Sequence, residues 1–324
     1  MKAAWYEKSG DARSVLQFGE MDQPAPEASE VLVRLRASGV NPVDVKARKG
    51  WPVRVPRIIP HSDGAGIVEA VGKGVPNARV GERVWIWNGQ WKRPFGTAAE
   101  YIALPAGQAM RLPEQVTFAA GACLGIPALT AIHAVRSLGE VGGKTVLVTG
   151  AASSVGYYAA QLLKIRGARV IGTASAARQA HAREAGADFV IDYRAKDVAA
   201  VVKDLTRGAG VNGIVDIDVS STVRLLADGI MAPHGRHVVY GSNSPADVPL
   251  PFSPMLQGNL SIAFMLVFEL TEAERAAALG ELQTLLQENR LRHAVGARFP
   301  LSAIIDAHEA VEAGRTVGNV VLEM

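Results

Sequence analysis

Residues 148–156, VTGAASSVG, have the composition of a loop that binds phosphate groups. Dinucleotide-binding loops follow the pattern G-x-G-x-x-G between a strand and a helix. Gly156 keeps the third glycine, whereas Ala151 and Ser153 replace the first two. The N-terminus of a helix offers unpaired N–H groups and a positive dipole end, and two serine hydroxyls add further donors. The predicted pyrophosphate-binding residues are Ser153, Ser154, Val155 and Gly156. The alternative is a plain strand-to-helix turn.

The next strand predicts which dinucleotide binds. NAD-binding units usually end this strand with an acid that holds the ribose hydroxyls, but the segment VIGTASAARQ contains none. Its Thr173, Ser175 and Arg178 suit a 2′-phosphate, which a carboxylate would repel. NADPH is therefore favoured over NADH, and Tyr193, ending the following strand, is expected to flank the adenosine. The alternatives are a solvated surface arginine for Arg178 and ordinary packing for Tyr193.

The elements around this loop predict a parallel sheet. From residue 144 to residue 266, apolar strands such as KTVLV and GIVDIDV alternate with helices that end at glycines. Such strands are typical of a parallel sheet that is covered on both faces, as in a doubly wound nucleotide-binding domain. A chain of 324 residues favours two domains. The fold class is therefore α/β, with this domain predicted over residues 124–292.

The N-terminal part differs in character. Residues 1–123 contain short strand-like segments, such as EVLVRLRASGV and GERVWIW, between glycines and prolines. The segment GAGIVEAVGKGV is predicted to form two short strands. Such a pattern is typical of an irregular β-barrel or sandwich. The apolar segment GNVVLEM must join a sheet, either the parallel sheet or that of the N-terminal domain.

Composition excludes several classes of function. The net charge of +3 and the absence of a dense Lys/Arg block argue against nucleic acid as a partner. The single cysteine, Cys123, cannot form an internal disulfide. No apolar leader segment and no run of 18 apolar residues is present, so we expect a cytoplasmic protein without a membrane partner.

Several segments, in order along the whole chain, resemble the zinc-free quinone oxidoreductases (the zeta-crystallin-like group) of the medium-chain dehydrogenase/reductase superfamily. They are GVNPVDVKARKG, PHSDGAGIVEAVGKGV, GIPALTAIHAV, the nucleotide-binding core from VTGAASSVG to VIDY, and GNVVLEM. The resemblance implies a GroES-like domain (1–123 and 293–324), to which the C-terminal strand returns, and a Rossmann domain. It also implies NADPH dependence, a small-molecule quinone or enone as substrate, and a homodimer or homotetramer.

The resemblance also bears on metal. Zinc-containing members of the superfamily use Cys and His ligands. Here Asn41 and Pro42 occupy the stretch of the first catalytic Cys, and residues 85–105 contain no Cys. His61 stands where a zinc-ligand His is often found, but one histidine cannot make a three-ligand catalytic site. We therefore expect no metal. His61 is interpreted as a loop or cleft histidine of the substrate pocket, with proton donation as the alternative.

Further contacts follow from the resemblance residue by residue. It places Asn41 near the nicotinamide ribose or the substrate, Thr130 near the nicotinamide, and the Gly241–Ser242 turn under the ribose. It predicts that the backbone groups from Phe264 to Leu266 face the carboxamide of the nicotinamide. The alternatives are an Asx turn at Asn41, a hydroxyl bonded to its own helix at Thr130, a plain β-turn at 241–242, and a buried strand at 264–266. Asn319 stands where relatives commonly carry Lys, which weakens a charge contact with the cofactor.

One departure concerns the substrate. Relatives commonly have Tyr at the position of Lys46, and lysine can donate a proton but cannot stack on a quinone. Trp51, Trp87 and Trp91 could supply the stacking, with packing as the alternative. The catalytic residue thus stays unknown, with Lys46 or water as the proton donor. The expected reaction is hydride transfer from NADPH, bound in the cleft between the domains, to a quinone or activated enone. Two alternatives are left: a zinc-free alkenal or enoyl reductase, and an NADPH-binding protein with little turnover.

Overall fold

The computed structural model describes all 324 residues. Its strands are β1 (Lys2–Trp5), β2 (Gln17–Glu20), β3 (Glu30–Val40), β4 (Asp63–Val71), β5 (Arg83–Ile86), β6 (Tyr101–Pro105), β7 (Ala109–Arg111), β8 (Thr145–Val148), β9 (Arg169–Thr173), β10 (Phe189–Ile191), β11 (Val211–Asp216), β12 (Met231–Val239), β13 (Ser261–Phe264), β14 (Val295–Pro300) and β15 (Asn319–Glu323).

The α-helices are α1 (Ala12–Val15), α2 (Pro42–Gly50), α3 (Phe118–Gly121), α4 (Leu129–Ser137), α5 (Ser154–Ile165), α6 (Gln179–Glu184), α7 (Val198–Thr206), α8 (Val219–Thr222), α9 (Arg224–Ala227), α10 (Phe252–Gln257), α11 (Glu272–Gln287) and α12 (Ile304–Ala313). A π-helical turn, Leu124–Ala128, precedes α4. None of these helices is long and apolar enough to cross a membrane.

The chain forms two compact units. Unit 1 comprises Met1–Ile126 and Gln283–Met324, and unit 2 comprises Pro127–Leu282. The second boundary therefore falls ten residues before the position 293 predicted from the sequence. The physical reason is at the end of α11, where the side-chain amide of Gln115 donates hydrogen bonds to the carbonyls of Leu286 and Gln287. These bonds tie the last turn of the helix to unit 1.

Unit 1 is built on a seven-stranded sheet with the order β14-β15-β3-β4-β5-β7, and β6 also pairs with β3. All its pairs are antiparallel except β14 with β15. The closing strand β15 therefore joins this sheet, not the parallel one. The segment predicted as two short strands is the single strand β4, which pairs along β3 with two register shifts. Its Gly66 makes the close pairing possible, because an added Cβ would lie 2.2 Å from the carbonyl oxygen of Arg34.

Unit 2 contains a six-stranded sheet with the order β10-β9-β8-β11-β12-β13, in which every pair is parallel. In chain order this is the 3-2-1-4-5-6 arrangement of dinucleotide-binding folds, whose ligand lies where the strand order reverses. That point falls between β8 and β11. The core strand β8 is apolar because both its faces are covered: Val146, Leu147 and Val148 are all fully buried. The predicted α/β fold class is confirmed.

Candidate functional site

The loop after β8 has the geometry of an anion-binding turn. Gly150 adopts a left-handed conformation with φ of 64°. Ser153 is the N-cap of α5, and its hydroxyl oxygen accepts a hydrogen bond from the N–H of Gly156 at 3.1 Å. Gly156 permits the tight approach of helix to loop, because an added Cβ would lie 2.2 Å from the carbonyl oxygen of Gly150. Serine can accept this bond and still donate its own proton.

Thr173 anchors this loop from the neighbouring strand. Its hydroxyl oxygen accepts from the N–H of Gly150 at 3.0 Å, and its carbonyl accepts from the N–H of Ala151 at 2.9 Å. Thr173 is 6% exposed. The sequence predicts this hydroxyl as a partner of a 2′-phosphate. In the structure its oxygen holds the turn, because the short loop leaves the Gly150 N–H without a partner inside its own segment.

The residues after β9 form a short turn. The N–H of Arg178 donates to the carbonyl of Ser175 at 2.8 Å, and both side chains are half-buried. The segment provides no carboxylate. Tyr193 lies two residues beyond the end of β10 and is exposed, with the guanidinium of Arg194 5.8 Å from its ring centre. Ser175 and Arg178 therefore meet in one turn, whereas Tyr193 belongs to the next one.

A buried hydrogen-bonded cluster fixes the ends of β8, β11 and β12. Asp216 is fully buried; it accepts from Thr149 Oγ at 2.7 Å and lies 2.8 Å from Nε2 of His237. Thr149 in turn accepts from the N–H of Ile217 at 3.0 Å. Burial opposes ionisation of Asp216, but its hydrogen bonds to His237 and Thr222 leave its pKa below the usual value. Three strand ends next to the phosphate loop are thus held in register.

A second carboxylate holds the turn that follows β12. Asp218 accepts from the backbone N–H of Asn243 at 2.8 Å and from its side-chain amide at 2.9 Å. It also accepts from the hydroxyls of Ser220 and Ser221. Next to this contact lie Gly241 and Ser242, whose hydroxyl donates to the carbonyl of Ser244. An added Cβ on Gly241 would lie 2.4 Å from the carbonyl of Ile217, so this turn requires glycine.

These two carboxylates were missed by the sequence analysis. Both stand in the segment GIVDIDV, at and just after the carboxyl end of a parallel strand. Polar residues at this position of a doubly wound sheet face the ligand edge. The rule that predicts ligand residues after the first two strands therefore also predicts Asp216 and Asp218 at the end of β11. Tyr240 was also missed: its phenol lies beside Ser153, and burial raises its pKa above the usual value.

In unit 1, Asn41 lies in a buried polar cluster. Its backbone N–H donates to Asp44 at 2.7 Å, which closes the N-terminus of α2, and its side-chain nitrogen donates to Asp63 Oδ2 at 3.0 Å. Asn41 is 5% exposed. Burial raises the pKa of Asp44 to about 7 and that of Asp63 well above its usual value. Asn41, predicted near the nicotinamide ribose or the substrate, is thus held by hydrogen bonds on two sides.

His61 differs from its predicted position in the substrate pocket. It is fully buried, with φ of 78°. Its Nδ1 lies 2.9 Å from Ser38 Oγ, and its Nε2 lies 2.9 Å from Nε2 of His308. Burial, reinforced by His308, holds its pKa well below the usual value. Both ring nitrogens are engaged inside unit 1, so the structure presents neither of them to a substrate.

The predicted substrate-side residues of α2 reach the surface. Lys46 is exposed on the helix, and Trp51, 47% exposed, follows its last residue. The ring of Trp51 meets that of Trp91 edge to face at 6.5 Å, whereas the indole N–H of Trp87 donates to the carbonyl of Gly107. Trp51 and Trp91 therefore form one aromatic pair.

The remaining predicted residues are distributed as follows. Thr130 is buried in α4, at 4% exposure. Phe264 ends β13, and both it and Leu266 expose their side chains, at 66% and 50%. Their predicted alternative, a buried strand, does not describe them, because β13 is an edge strand. Asn319 begins β15, where its side-chain amide donates to the carbonyl of Ala294 at 2.9 Å.

The chain contains no group of three or more His, Cys, Asp or Glu side chains arranged to hold a metal ion. The single Cys123 is buried, and burial raises its pKa above the usual value. His61 and His308 face each other, and no third metal-ligating side chain joins them.

Comparison with known proteins identifies the family. Residues 27–114 match the alcohol dehydrogenase GroES-like domain, and residues 185–322 match the zinc-binding dehydrogenase domain. Quinone oxidoreductase of Lama guanicoe is 31% identical over 308 residues, which cover 92% of this chain and 90% of that protein. A mycobacterial protein solved as a complex with NADPH is similar over the full length of both chains, with 30% identity and a TM-score of 0.86. An NAD-dependent alcohol dehydrogenase, also 30% identical and covered in full, has a TM-score of 0.89. The resemblance noted in the sequence is thus confirmed, and the chain belongs to the quinone oxidoreductase family of medium-chain dehydrogenases/reductases.

Proposed function

We propose that the chain is an NADPH-dependent oxidoreductase that reduces a quinone or a related activated enone without a metal ion. The observation that carries this proposal is the phosphate loop at the switch point of the parallel sheet, next to a second strand that ends without an acid. The relatives named quinone oxidoreductases and the relative solved with NADPH support the same activity.

The residues of unit 2 fit a phosphorylated dinucleotide. The N-terminus of α5 and the hydroxyls of Ser153 and Ser154 suit a pyrophosphate, with the backbone of Val155 and Gly156 beside them. Ser175 and Arg178 suit a 2′-phosphate, and Tyr193 suits the adenosine. The Gly241–Ser242 turn, held by Asp218, suits a ribose. Thr130 and the backbone from Phe264 to Leu266 are proposed at the nicotinamide end, and Asn319 contributes no charge there.

When bound, NADPH supplies the hydride. The residues of this chain then have to orient the acceptor, exclude water and deliver a proton. Asn41 is proposed beside the nicotinamide ribose, and Trp51 with Trp91 is proposed as an aromatic wall for the acceptor. Lys46 or water provides the proton. No metal ligand set polarises the acceptor oxygen, so the acceptor has to be electrophilic by itself, as quinones are.

The edge of the parallel sheet supports a homodimer, with a homotetramer as the alternative. β13 pairs on one side with β12 and ends the sheet on the other. Near it Phe252, Leu256 and Phe264 are 74%, 63% and 66% exposed. An unpaired edge strand with apolar neighbours favours pairing with another strand, and a twofold axis lets two copies use the same surface. Phe252→Glu should shift the mass measured by light scattering to the monomer, while Phe18→Glu, on the exposed β2, should not.

The decisive experiment is a panel of acceptors with NADPH and NADH side by side. We expect quinones to be reduced with NADPH at a higher kcat/KM than 2-alkenals or enoyl thioesters. Faster reduction of alkenals would assign the chain to the alkenal or enoyl reductases. Tight binding of NADPH without turnover of any acceptor would make it a nucleotide-binding protein. Failure to bind NADPH would refute the proposed function.

A further inference from the structure

The hydroxyl of Tyr240 lies beside the phosphate loop of unit 2. Tyr240 follows the last residue of β12, and its backbone N–H donates to the carbonyl of Asp216 at 3.0 Å. The hydroxyl oxygen is buried and completes no hydrogen bond of standard geometry. Ser153 lies next to it, and burial raises the pKa of the phenol, so the group keeps its proton at neutral pH. Tyr240 is therefore a buried donor that needs an acceptor.

The neighbouring side chains leave Ser153 as that acceptor. The carboxylate of Asp216 also lies near the phenol, but each of its oxygens already has two partners. These partners are Thr149 and the backbone N–H of Asp218 at Oδ1, and Thr222 and His237 at Oδ2. Ser153 Oγ accepts from the N–H of Gly156. A serine hydroxyl can accept a second bond and still donate its own proton.

The bond between the two hydroxyls has two possible directions. If Ser153 donated to Tyr240, the phenol proton would stay buried without an acceptor, and the serine proton would be lost to a ligand. If Tyr240 donates to Ser153, the phenol proton is satisfied and the serine proton is left for a ligand. Ser153 is half-buried, so its hydroxyl can reach a ligand outside the loop. Because an unpaired buried donor is costly, the second direction is favoured.

We propose that Tyr240 is a positioning residue for cofactor binding, which donates to Ser153 so that Ser153 donates to the pyrophosphate. Hydrogen bonds in such a chain polarise one another, so the charge of the pyrophosphate strengthens the bond from Tyr240. The phenol itself does not touch the cofactor. This inference rests on the proposed NADPH dependence, and it adds a residue after β12 to the loop that follows β8.

A double-mutant cycle on Tyr240 and Ser153 tests the inference. Tyr240→Phe removes only the hydroxyl and should raise the Kd of NADPH about fivefold, the effect of one hydrogen bond. In the Ser153→Ala background the same change should alter the Kd less than about twofold, because Tyr240 acts through Ser153. Ser153→Thr keeps both the helix cap and the hydroxyl. In that background Tyr240→Phe should again raise the Kd about fivefold.

Further measurements separate positioning from packing. The melting temperature of Tyr240→Phe should equal or exceed the native value, because the ring stays and only a poorly bonded buried hydroxyl is lost. Its kcat with a quinone at saturating NADPH should stay within about twofold of the native value. The Kd of NADH should rise by the same factor as that of NADPH, because both carry the pyrophosphate, whereas Arg178→Ala should weaken NADPH alone. Tyr101→Phe, the same change on β6, should leave every value unchanged.

Four results would overturn the inference. They are an unchanged Kd in Tyr240→Phe, an equal loss in the Ser153→Ala background, no loss in the Ser153→Thr background, or a loss for NADPH without one for NADH. A lower melting temperature of Tyr240→Phe, or an equal effect of Tyr101→Phe, would also overturn it. In each case the native protein still binds NADPH, so the proposed function stands. Loss of NADPH binding in the native protein would instead refute the function itself.

Discussion

Replacing Ser153 should change stability and cofactor affinity together. Its hydroxyl oxygen caps α5 through the N–H of Gly156 at 3.1 Å, and a hydroxyl that accepts one bond can also donate its proton, here to the proposed phosphate. Ser153→Val removes both bonds. Loss of an N-cap costs about 1 kcal/mol of unfolding free energy, which lowers the melting temperature by about 2–4 °C for a domain of this size. Loss of the bond to a charged acceptor should weaken NADPH binding by about 1–3 kcal/mol.

Ser153→Gly is the matched comparison. Glycine is an acceptable N-cap, so the stability cost falls to a few tenths of a kcal/mol. It also restores the usual second glycine, so the backbone can approach the pyrophosphate and the Kd should stay within about twofold of the native value or improve. Titration of NADPH fluorescence gives the Kd and thermal denaturation gives the stability. If Ser153→Val is less stable but binds NADPH as tightly as the native protein, the loop caps a helix and does not hold the pyrophosphate.

Three further predictions concern cofactor choice, metal and pH. NADPH should bind at least about tenfold, or about 1.4 kcal/mol, more tightly than NADH, and Arg178→Ala should remove much of that gap; equal Kd values in the native protein would refute the assignment. Exhaustive chelation should change neither NADPH oxidation nor the melting temperature, whereas stoichiometric zinc whose removal abolishes activity would contradict this. Burial lowers the pKa of His308 from 6.5 to about 3. Between these two values only the unfolded chain binds the proton, so the free energy of unfolding falls as the pH falls. His308→Gln should therefore reduce the slope of unfolding free energy against pH by about 1.4 kcal/mol per pH unit around pH 4–6, and an unchanged slope would show that His308 does not cause it.

The sequence predicts those features that repeat with a fixed period. Apolar strands that alternate with helices predicted the parallel sheet. The spacing within VTGAASSVG predicted the loop that leads into α5, whose N-cap is Ser153. These are local patterns, because each is read within one segment of chain. They also gave the strand β3, whose side chains alternate before its buried end.

What the sequence could not give depends on contacts between distant segments. His61 was placed in the substrate pocket because it stands where zinc-containing relatives often carry a ligand His; its partner here, His308, is 247 residues away. Thr173 was predicted at a 2′-phosphate, and the bond that its hydroxyl accepts from the Gly150 N–H, 23 residues away, has no local signal. The hydrogen bonds of Gln115 to the end of α11, which explain why unit 1 begins again before residue 293, also join distant segments, and no local pattern predicts them.

The position of β15 has a consequence for synthesis on the ribosome. β15 lies between β14 and β3, but it is translated after all of unit 2. At roughly 5–20 residues per second, β3 waits on the order of ten to sixty seconds for this neighbour, while unit 2 is already complete. During that interval residues 37–40 of β3 lack a partner on one edge, because β6 covers only residues 30–34 of that edge, and this segment is open to other chains or to a chaperone. Nascent chains stalled before residue 319 should therefore be protease-resistant in residues 127–282 and sensitive in residues 1–126.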